Sequence, residues 1–426
     1  MSGVRRRILL VSWEYPPVVV GGLGRHVHNL AEALTGLGHE VTVLSRRPSG
    51  TDPSTHPTTD TVVEGVRVIA VAEDPPEFDF GVDMMAWTLA MGHSFLRAGL
   101  AHLRDWRPDV VHAHDWLVAH PAIALAEFFD VPLVATLHAT EAGRHSGWVA
   151  GHINRQVHSV EWWLANEADT LITCSSSMRD EVIELFSPGP DTDVTVIHNG
   201  IDLTAWEFAE RRRAVGPAEL LFAGRLEYEK GVQDLIAALP LIRRRHPGTT
   251  LTVAGEGTQR EWLAGLAVNH RVADAVTFLG NQDHDALVRL MRRCEAIVLP
   301  SRYEPFGIIA LEAAASGIPL VTSTAGGLGE AVHDGTTGLT FPPAQAPDLA
   351  AAVIATLDDP AAAAARARRA RALLTEEFTW QAVAERTAAV YAASVRRPHR
   401  PLARPEIPLR PLPHRDPANP VADVQA

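Results

Sequence analysis

Lysine is all but missing from this chain of 426 residues: Lys230 is the only one, and arginine supplies every other permanent side-chain cation. Cysteine is nearly as scarce, with Cys174 and Cys294 far apart and in no metal-ligand spacing. Two such residues build neither a disulfide framework nor a zinc knuckle, and they suit a reducing compartment. Long apolar runs are missing too, since no stretch reaches the roughly 18 residues that a membrane span needs. Arg5-Arg6-Arg7 followed by Ile8-Leu9-Leu10-Val11 imitates a secretory signal, but the apolar run stops by Glu14. That falls short of a signal's apolar core of about 7–15 residues, so the segment reads as a first strand and the expected location is the cytoplasm. Positive charge is outweighed, with 38 Lys+Arg against 51 Asp+Glu for a net charge of −13. Non-specific affinity for nucleic acid comes mainly from neutralising phosphates, so nucleic acid is not an expected partner. The Arg211–Arg213 and Arg243–Arg245 runs read as solvated helix ends.

What is present is a globular composition, 46% hydrophobic and 21% charged, over a length that fits two domains of roughly 150–200 residues. Strand patterns recur at Ile8–Trp13, Val41–Ser45, Val66–Val71, Val110–His114, Leu133–His138 and Thr170–Cys174. Helical patterns lie between most of them, for example Leu23–Leu37, Ala86–Leu103 and Val118–Phe129. Near-continuous apolar strands separated by helices predict a parallel sheet covered on both faces. The alternation pauses at Ser187–Asp193, Val194–His198 leads into Asn199-Gly200, and the pattern then restarts. Its second set is Leu220–Ala223, Thr250–Ala254, Val276–Leu279, Ala296–Leu299 and Leu320–Thr322. The expected fold class is α/β, with two Rossmann-like doubly wound domains over 1–200 and 201–378. Two Ala-rich helices follow, about Pro360–Leu374 and Trp380–Ser394; the segment 379–395 is expected to cross back to the first domain. Eight prolines fall in the final 31 residues, and 396–426 therefore reads as a disordered tail.

Glycines mark where a ligand can approach. The first strand runs into Ser12-Trp13-Glu14-Tyr15-Pro16-Pro17, and Gly21-Gly22-Leu23-Gly24 opens a helix. Glycine lets the backbone come close to a ligand while the helix start offers unpaired N–H groups to an anion. A plain strand-to-helix turn is the alternative. The spacing is not G-x-G-x-x-G, so NAD is not implied. A second such element, Gly224-Arg225-Leu226-Glu227-Tyr228-Glu229-Lys230-Gly231, opens the second half. One guanidinium fork and one ammonium there suit a diphosphate. A sequence that otherwise relies on arginine keeps its one lysine at this helix start, which favours the diphosphate over a solvated surface side chain. A third cluster is Ala325-Gly326-Gly327-Leu328-Gly329-Glu330, whereas Gly255-Glu256-Gly257 has Arg260 where a dinucleotide fingerprint needs a small residue.

Pro300-Ser301-Arg302-Tyr303-Glu304-Pro305-Phe306-Gly307 leads into a helical run holding Glu312, and Pro305 suits a first helical position. Two carboxylates so spaced accept hydrogen bonds from hydroxyl-rich faces; helix-dipole complementation for Glu304 and a solvated face for Glu312 are the alternatives. His112-x-His114 beside Asp115 invites a metal reading, but Asp115 is expected to point away and no further ligand is evident. Asp191-Thr192-Asp193 has a D-x-D pattern, yet it follows Gly189-Pro190 and reads as loop chemistry in a turn between the domains.

In combination, Glu304-x7-Glu312, Gly-Arg-Leu at 224–226, Glu-Lys-Gly at 229–231 and Asn199-Gly200-Ile201-Asp202 resemble the family-4 retaining glycosyltransferases of GT-B fold, over about residues 7–395. Ser12–Pro17, Ser45–Pro53, His112-Ala113-His114-Asp115-Trp116 and His138-Ala139-Thr140-Glu141 are most similar to that family's α-(1→4)-glucosyltransferase branch, associated with glycogen and methylglucose lipopolysaccharide. The resemblance implies a central cleft between the domains, a UDP-glucose or ADP-glucose donor, an α-glucan or glycolipid acceptor and no metal requirement; a homo-oligomer is left open. It also implies roles. Gly21, Gly22, Arg225 and Lys230 hold the donor diphosphate, with Asn199 also on the donor side. Glu312 accepts from ribose and Glu304 from sugar hydroxyls, while amides around Phe306-Gly307 and Gly326-Gly327-Leu328 face the donor. His138 stands at the reacting carbon, joined in catalysis by Glu304, Arg225 and Lys230. Asp115, Glu14 and Tyr15 bind sugar on the acceptor side. Glycogen synthases carry a lysine two residues before their Gly-Gly pair, and here that position is Val19.

Overall fold

A computed structural model describes residues 4–19, 21–48, 50–73, 78–145, 147–149, 151–210 and 216–395. The Arg211–Arg213 run and the proline-rich stretch 396–426 lie outside them.

The first sheet holds β1 (Arg7–Ser12), β2 (Glu40–Arg46), β3 (Thr59–Val63), β4 (Val66–Val71), β5 (Val110–His114), β6 (Leu133–Leu137), β7 (Thr170–Thr173) and β8 (Asp193–Val196). Its order is β3-β4-β2-β1-β5-β6-β7-β8. The second holds β9 (Glu219–Ala223), β10 (Thr250–Ala254), β11 (Val276–Gly280), β12 (Ala296–Leu299), β13 (Leu320–Ser323) and β14 (Leu339–Phe341) in the order β11-β10-β9-β12-β13-β14. Every pairing is parallel except β3 with β4. Central strands such as Ile8–Val11 are wholly buried, as strands covered by helices on both faces must be.

Two strands escape the sequence pattern. β3 is a mostly exposed edge strand, joined to β4 by Glu64-Gly65, both at positive φ. Such a two-residue hairpin matches the twist of its strands, but Thr-Asp-Thr-Val-Val lacks the apolar run that marks a buried strand. β14 is only three residues long. Asp193 opens β8, so the Asp191-Thr192-Asp193 turn lies within the first domain, not between the two.

Each sheet reverses direction at its first strand. β1 has β2 on one side and β5 on the other; β9 has β10 and β12. Open α/β sheets bind ligands at the carboxyl ends of strands flanking such a switch point. The glycine loops at 21–24 and 224–231 follow β1 and β9, so both open at these points.

After the Pro360–Glu377 helix the chain crosses back, with Ile201 and Thr379 bridged where the two crossings meet. The Trp380–Ser394 helix packs against the Gly22–Gly36 helix. The fully buried Tyr391 hydroxyl meets His112 Nδ1 at 2.7 Å, and Ser394 meets Thr170 at 3.0 Å. Among the described residues no helix is long and apolar enough to cross a membrane.

Candidate active site

A cleft of about 1050 Å³ lies between the domains, lined by the loops that follow the strand ends of both sheets. On the side of the second domain, Gly231 adopts φ +71° and a Cβ there would collide with the Pro300 carbonyl. The Tyr228–Lys230 turn is therefore pressed against the 300–304 segment. Lys230 Nζ lies 2.8 Å from Glu304 Oε2, which also accepts from Ser301 Oγ at 3.3 Å. Arg225 is more open, half-exposed, and reaches Glu229 at 3.1 Å. The expected diphosphate cations and the expected sugar carboxylate thus form one cluster at the cleft wall.

The helix holding Glu312 runs Ile308–Ser316, starting later than Pro305, because Gly307 at φ +93° is left-handed and ends the approach loop. Glu312 is buried, which excludes a solvated helix face, and accepts from Arg25 Nη1 at 2.6 Å across the cleft. Burial raises this carboxyl's pKa, and Arg25 only partly offsets that. Phe306 is buried, its ring 5.4 Å from His198 and stacked on it, yet its loop borders the cleft. Gly326, Gly327 and Leu328 do not line the cleft. They lie behind it: Gly327 N–H donates to the Glu304 carbonyl at 2.9 Å, and a Cβ on Gly326 would strike that same carbonyl. Their contacts brace the 304–307 loop from behind.

Opposite stands the first domain. Glu14 does not point its carboxylate freely at the cleft; Oε2 accepts from the N–H groups of Gly21 at 3.0 Å and Gly24 at 3.3 Å, holding the glycine loop in place. Tyr15 departs from expectation altogether. Its ring is buried in the apolar cluster of Val27, Leu30 and Leu34, with its hydroxyl 3.4 Å from His28. One residue along an extended segment turns a side chain to the other face, so Tyr15 packs beneath the helix that Glu14 helps to hold.

Asp115 sits at φ +64°, directly after β5, and its Oδ1 accepts from His138 N–H at 2.7 Å. Burial raises Asp115 to about 6 against that hydrogen bond. Burial, and then the nearby Arg144, lowers His138 to about 4, so its imidazole is neutral near pH 7. His138 Nε2 meets His114 Nδ1 at 3.1 Å, and His26 Nδ1 meets Asn199 Oδ1 at 2.8 Å. Asn199 is thereby placed at the floor of the cleft, while Gly200 gives room for Trp380.

Among the described residues, one group has ligand atoms placed for a metal ion: His26, His114 and His138, within 4.8 Å of one another. It differs from the set suggested by sequence spacing. His112 has both ring nitrogens engaged, by Tyr391 and by Thr136 at 2.7 Å each. Burial, reinforced by the neighbouring histidines, lowers the pKa of His26, His112 and His114.

Sequence reasoning missed Arg25, His26, Trp13, Phe80 and Trp116, all of which lie in or beside the cleft. A signal existed for Arg25: Val27, Leu30, Ala31 and Leu34 mark the buried face of its helix, which leaves residue 25 on another face just after the glycine loop.

Comparison with known proteins follows the same division of the chain. Residues 20–205 match the family described as Glycosyltransferase Family 4, and residues 206–373 match Glycosyl transferases group 1. The chain is 64% identical to a glycogen synthase of Mycobacterium tuberculosis, over 96% of this chain and 100% of that protein. It is 31% identical to a D-inositol 3-phosphate glycosyltransferase of Pseudarthrobacter chlorophenolicus, over 92% and 96%. Among solved structures, a sucrose-phosphate synthase from Thermosynechococcus elongatus superposes with a TM-score of 0.77 at 25% identity, covering 91% of this chain and 99% of that one. The catalytic domain of Arabidopsis thaliana starch synthase IV, bound to ADP and acarbose, shares the fold with a TM-score of 0.70 at 18% identity, over 92% and 100%.

Proposed function

Because the chain belongs to the family-4 glycosyltransferases of GT-B fold, we propose that it is a retaining α-(1→4)-glucosyltransferase. It moves glucose from UDP-glucose or ADP-glucose to the non-reducing end of an α-glucan. The observation that carries this reading is the near-full-length likeness to the tuberculosis glycogen synthase, joined to a cleft that sets Lys230, Arg225 and Glu304 opposite His138 and Asp115. Glycogen and the methylglucose lipopolysaccharide precursor present the same kind of terminal glucosyl residue, and both fall within the proposal. The acidic chain and its two buried cysteines suit the cytoplasm, where such donors are made.

The donor diphosphate rests against Gly21 and Gly22 and beside Arg225 and Lys230, which stabilise the anion that departs. Glu312 accepts from ribose hydroxyls once Arg25 releases it, Glu304 accepts from the sugar, and Asp115 orients the incoming hydroxyl. As the bond from the anomeric carbon to phosphate oxygen breaks, neutral His138 lies beside the developing positive charge without adding to it. The acceptor oxygen bonds to the same face of that carbon, and its proton passes to the departing phosphate oxygen. Cleft closure excludes water as a competing acceptor.

The test is nucleotide release from UDP-glucose, ADP-glucose and GDP-mannose, each with and without maltotetraose, in EDTA. Acceptor-dependent release from a glucose donor is expected, with products one glucose longer and digestible by an α-1,4-specific amylase. Release only from GDP-mannose, or only toward an inositol phosphate, would discard the assignment.

A further inference from the structure

We infer that the carboxyl edge of the first sheet is a row of acceptor subsites running from His138 to an aromatic platform of Trp13 and Phe80, which takes an inner glucosyl ring of a polymeric acceptor. This rests on the glucosyl-transfer reading above. The order β2-β1-β5-β6 sets the ends of four strands side by side, and they are level: Val11 pairs with Leu44, Ser12 with His114, and His114 with Thr136. One residue past the level of Ser12, Arg46, Trp13, Asp115 and Leu137 stand side by side along the edge, with His138 one residue further on. Trp13, Asp115, Trp116 and His138 all line the cleft. With neighbouring strands about 4.8 Å apart, Trp13 lies two strands, roughly 10 Å, from the row that carries His138. An acceptor whose terminal sugar sits at Asp115 and His138 has its inner sugars directed over Trp13.

The platform is held from behind. The Trp13 and Phe80 rings lie 4.8 Å apart at 32°, and Trp87 meets them edge-on at 5.8 and 5.0 Å. Trp87 is buried, with its Nε1 donating to Glu73 at 2.6 Å. The Arg46 guanidinium stacks over the Trp13 ring at 4.4 Å. Trp13 and Phe80 nevertheless stay partly exposed and line the cleft, beside Met84 and Leu117. Rigid aromatic surface kept open to water in a cleft gains by being covered, and the C–H face of a pyranose is a flat apolar partner. A phosphorylated acceptor would instead need an open cation. Arg46 is only 6% exposed and lies against the indole, so it offers no phosphate site at the platform itself, while the exposed Arg144 lines the cleft nearer His138.

The experiment measures KM for maltose, maltotriose, maltotetraose and maltohexaose in the full chain, in Phe80→Ala and in Trp13→Ala, with nucleotide binding as a check on the donor side. Wild type is expected to favour maltohexaose over maltose by about tenfold in KM, and either variant to bring that ratio toward one. Should Trp13→Ala fail to fold, Phe80→Ala decides alone. A wild type indifferent to acceptor length, or variants that raise KM equally for every length, overturns the platform while leaving glucosyl transfer in place. If no glucan accepts glucose and a phosphorylated acceptor does, the transfer reading itself falls.

Discussion

Lys230 and Glu304, 2.8 Å apart, show how far residue identity alone carries. Both were legible as chemistry: a lone lysine at a glycine-flanked helix start, and a carboxylate before a helix. Removing the ammonium as Lys230→Ala takes away charge stabilisation at the departing phosphate, and kcat is expected to fall about 100- to 1000-fold. Steady-state kinetics decide it; near-wild-type turnover would remove Lys230 from the site. Helical periodicity could place Arg25 on an open face after the glycine loop, but not its pairing with Glu312, which is 287 residues away in sequence. Glu161 is another residue whose chemistry only burial reveals. Its carboxyl accepts from Glu141 N–H at 2.8 Å, and burial raises its pKa to about 8. A raised acid takes up a proton on folding, so its contribution weakens the fold as pH climbs from about 4.5 toward 8. In Glu161→Gln the amide oxygen can still accept that bond and no longer titrates. The Tm of this variant relative to wild type is expected to rise steadily between pH 5 and 8, and a pH-independent difference would refute the assignment.

At the scale of elements, buried parallel strands and amphipathic helices announced themselves through apolar runs and periodicity. β10 at Thr250–Ala254, β12 at Ala296–Leu299 and the Trp380–Ser394 helix stand where the pattern put them. The exposed β3 hairpin did not, because Thr-Asp-Thr-Val-Val lacks an apolar run, nor did β14, because three residues are too few to show a period. The Trp380–Ser394 helix fastens the far end of the chain to the first domain through Tyr391. Tyr391→Phe removes the hydroxyl and leaves His112 Nδ1 buried without it. A loss of about 1–3 kcal/mol is expected in denaturant unfolding, with the acceptor KM ratio unmoved. A loss near zero would mean that water takes the hydroxyl's place.

At the scale of the whole molecule, the two domains are latched around the cleft. Tyr303 from the second domain reaches Glu181 at 3.1 Å and accepts from Thr140 N–H at 3.3 Å, beneath a Gly143 whose Cβ would strike the ring. Glu330 accepts from the N–H groups of Ser176 and Ser177, at 2.9 Å each, at the start of the Ser176–Phe186 helix. A carboxylate at a helix N-terminus is favoured by the unpaired amides there. Although burial pushes Glu330 upward, those amides and His198 hold its pKa below the usual carboxylate range. The double variant Tyr303→Ala, Glu330→Ala is expected to open the cleft and enlarge the radius of gyration in small-angle scattering without ligand. An unchanged radius would show that these contacts do not set closure.

The sequence by itself determined two α/β domains, their boundary near residue 200 and the glycine loops after β1 and β9, because periodicity, glycine placement and charge type are local properties of a chain. It named Lys230, Arg225, Glu304, Glu312, His138 and Asp115 through resemblance, all but Glu312 in the segments that follow strand ends. Only the tertiary structure decided how these residues face one another. Arg25 against Glu312, the neutral histidine cluster, and the burial of Tyr15 while Trp13 stays open depend on register and on contacts between distant segments. It likewise showed Gly326–Leu328 bracing the 304–307 loop from behind, since no local pattern reports which side of a loop another loop will occupy.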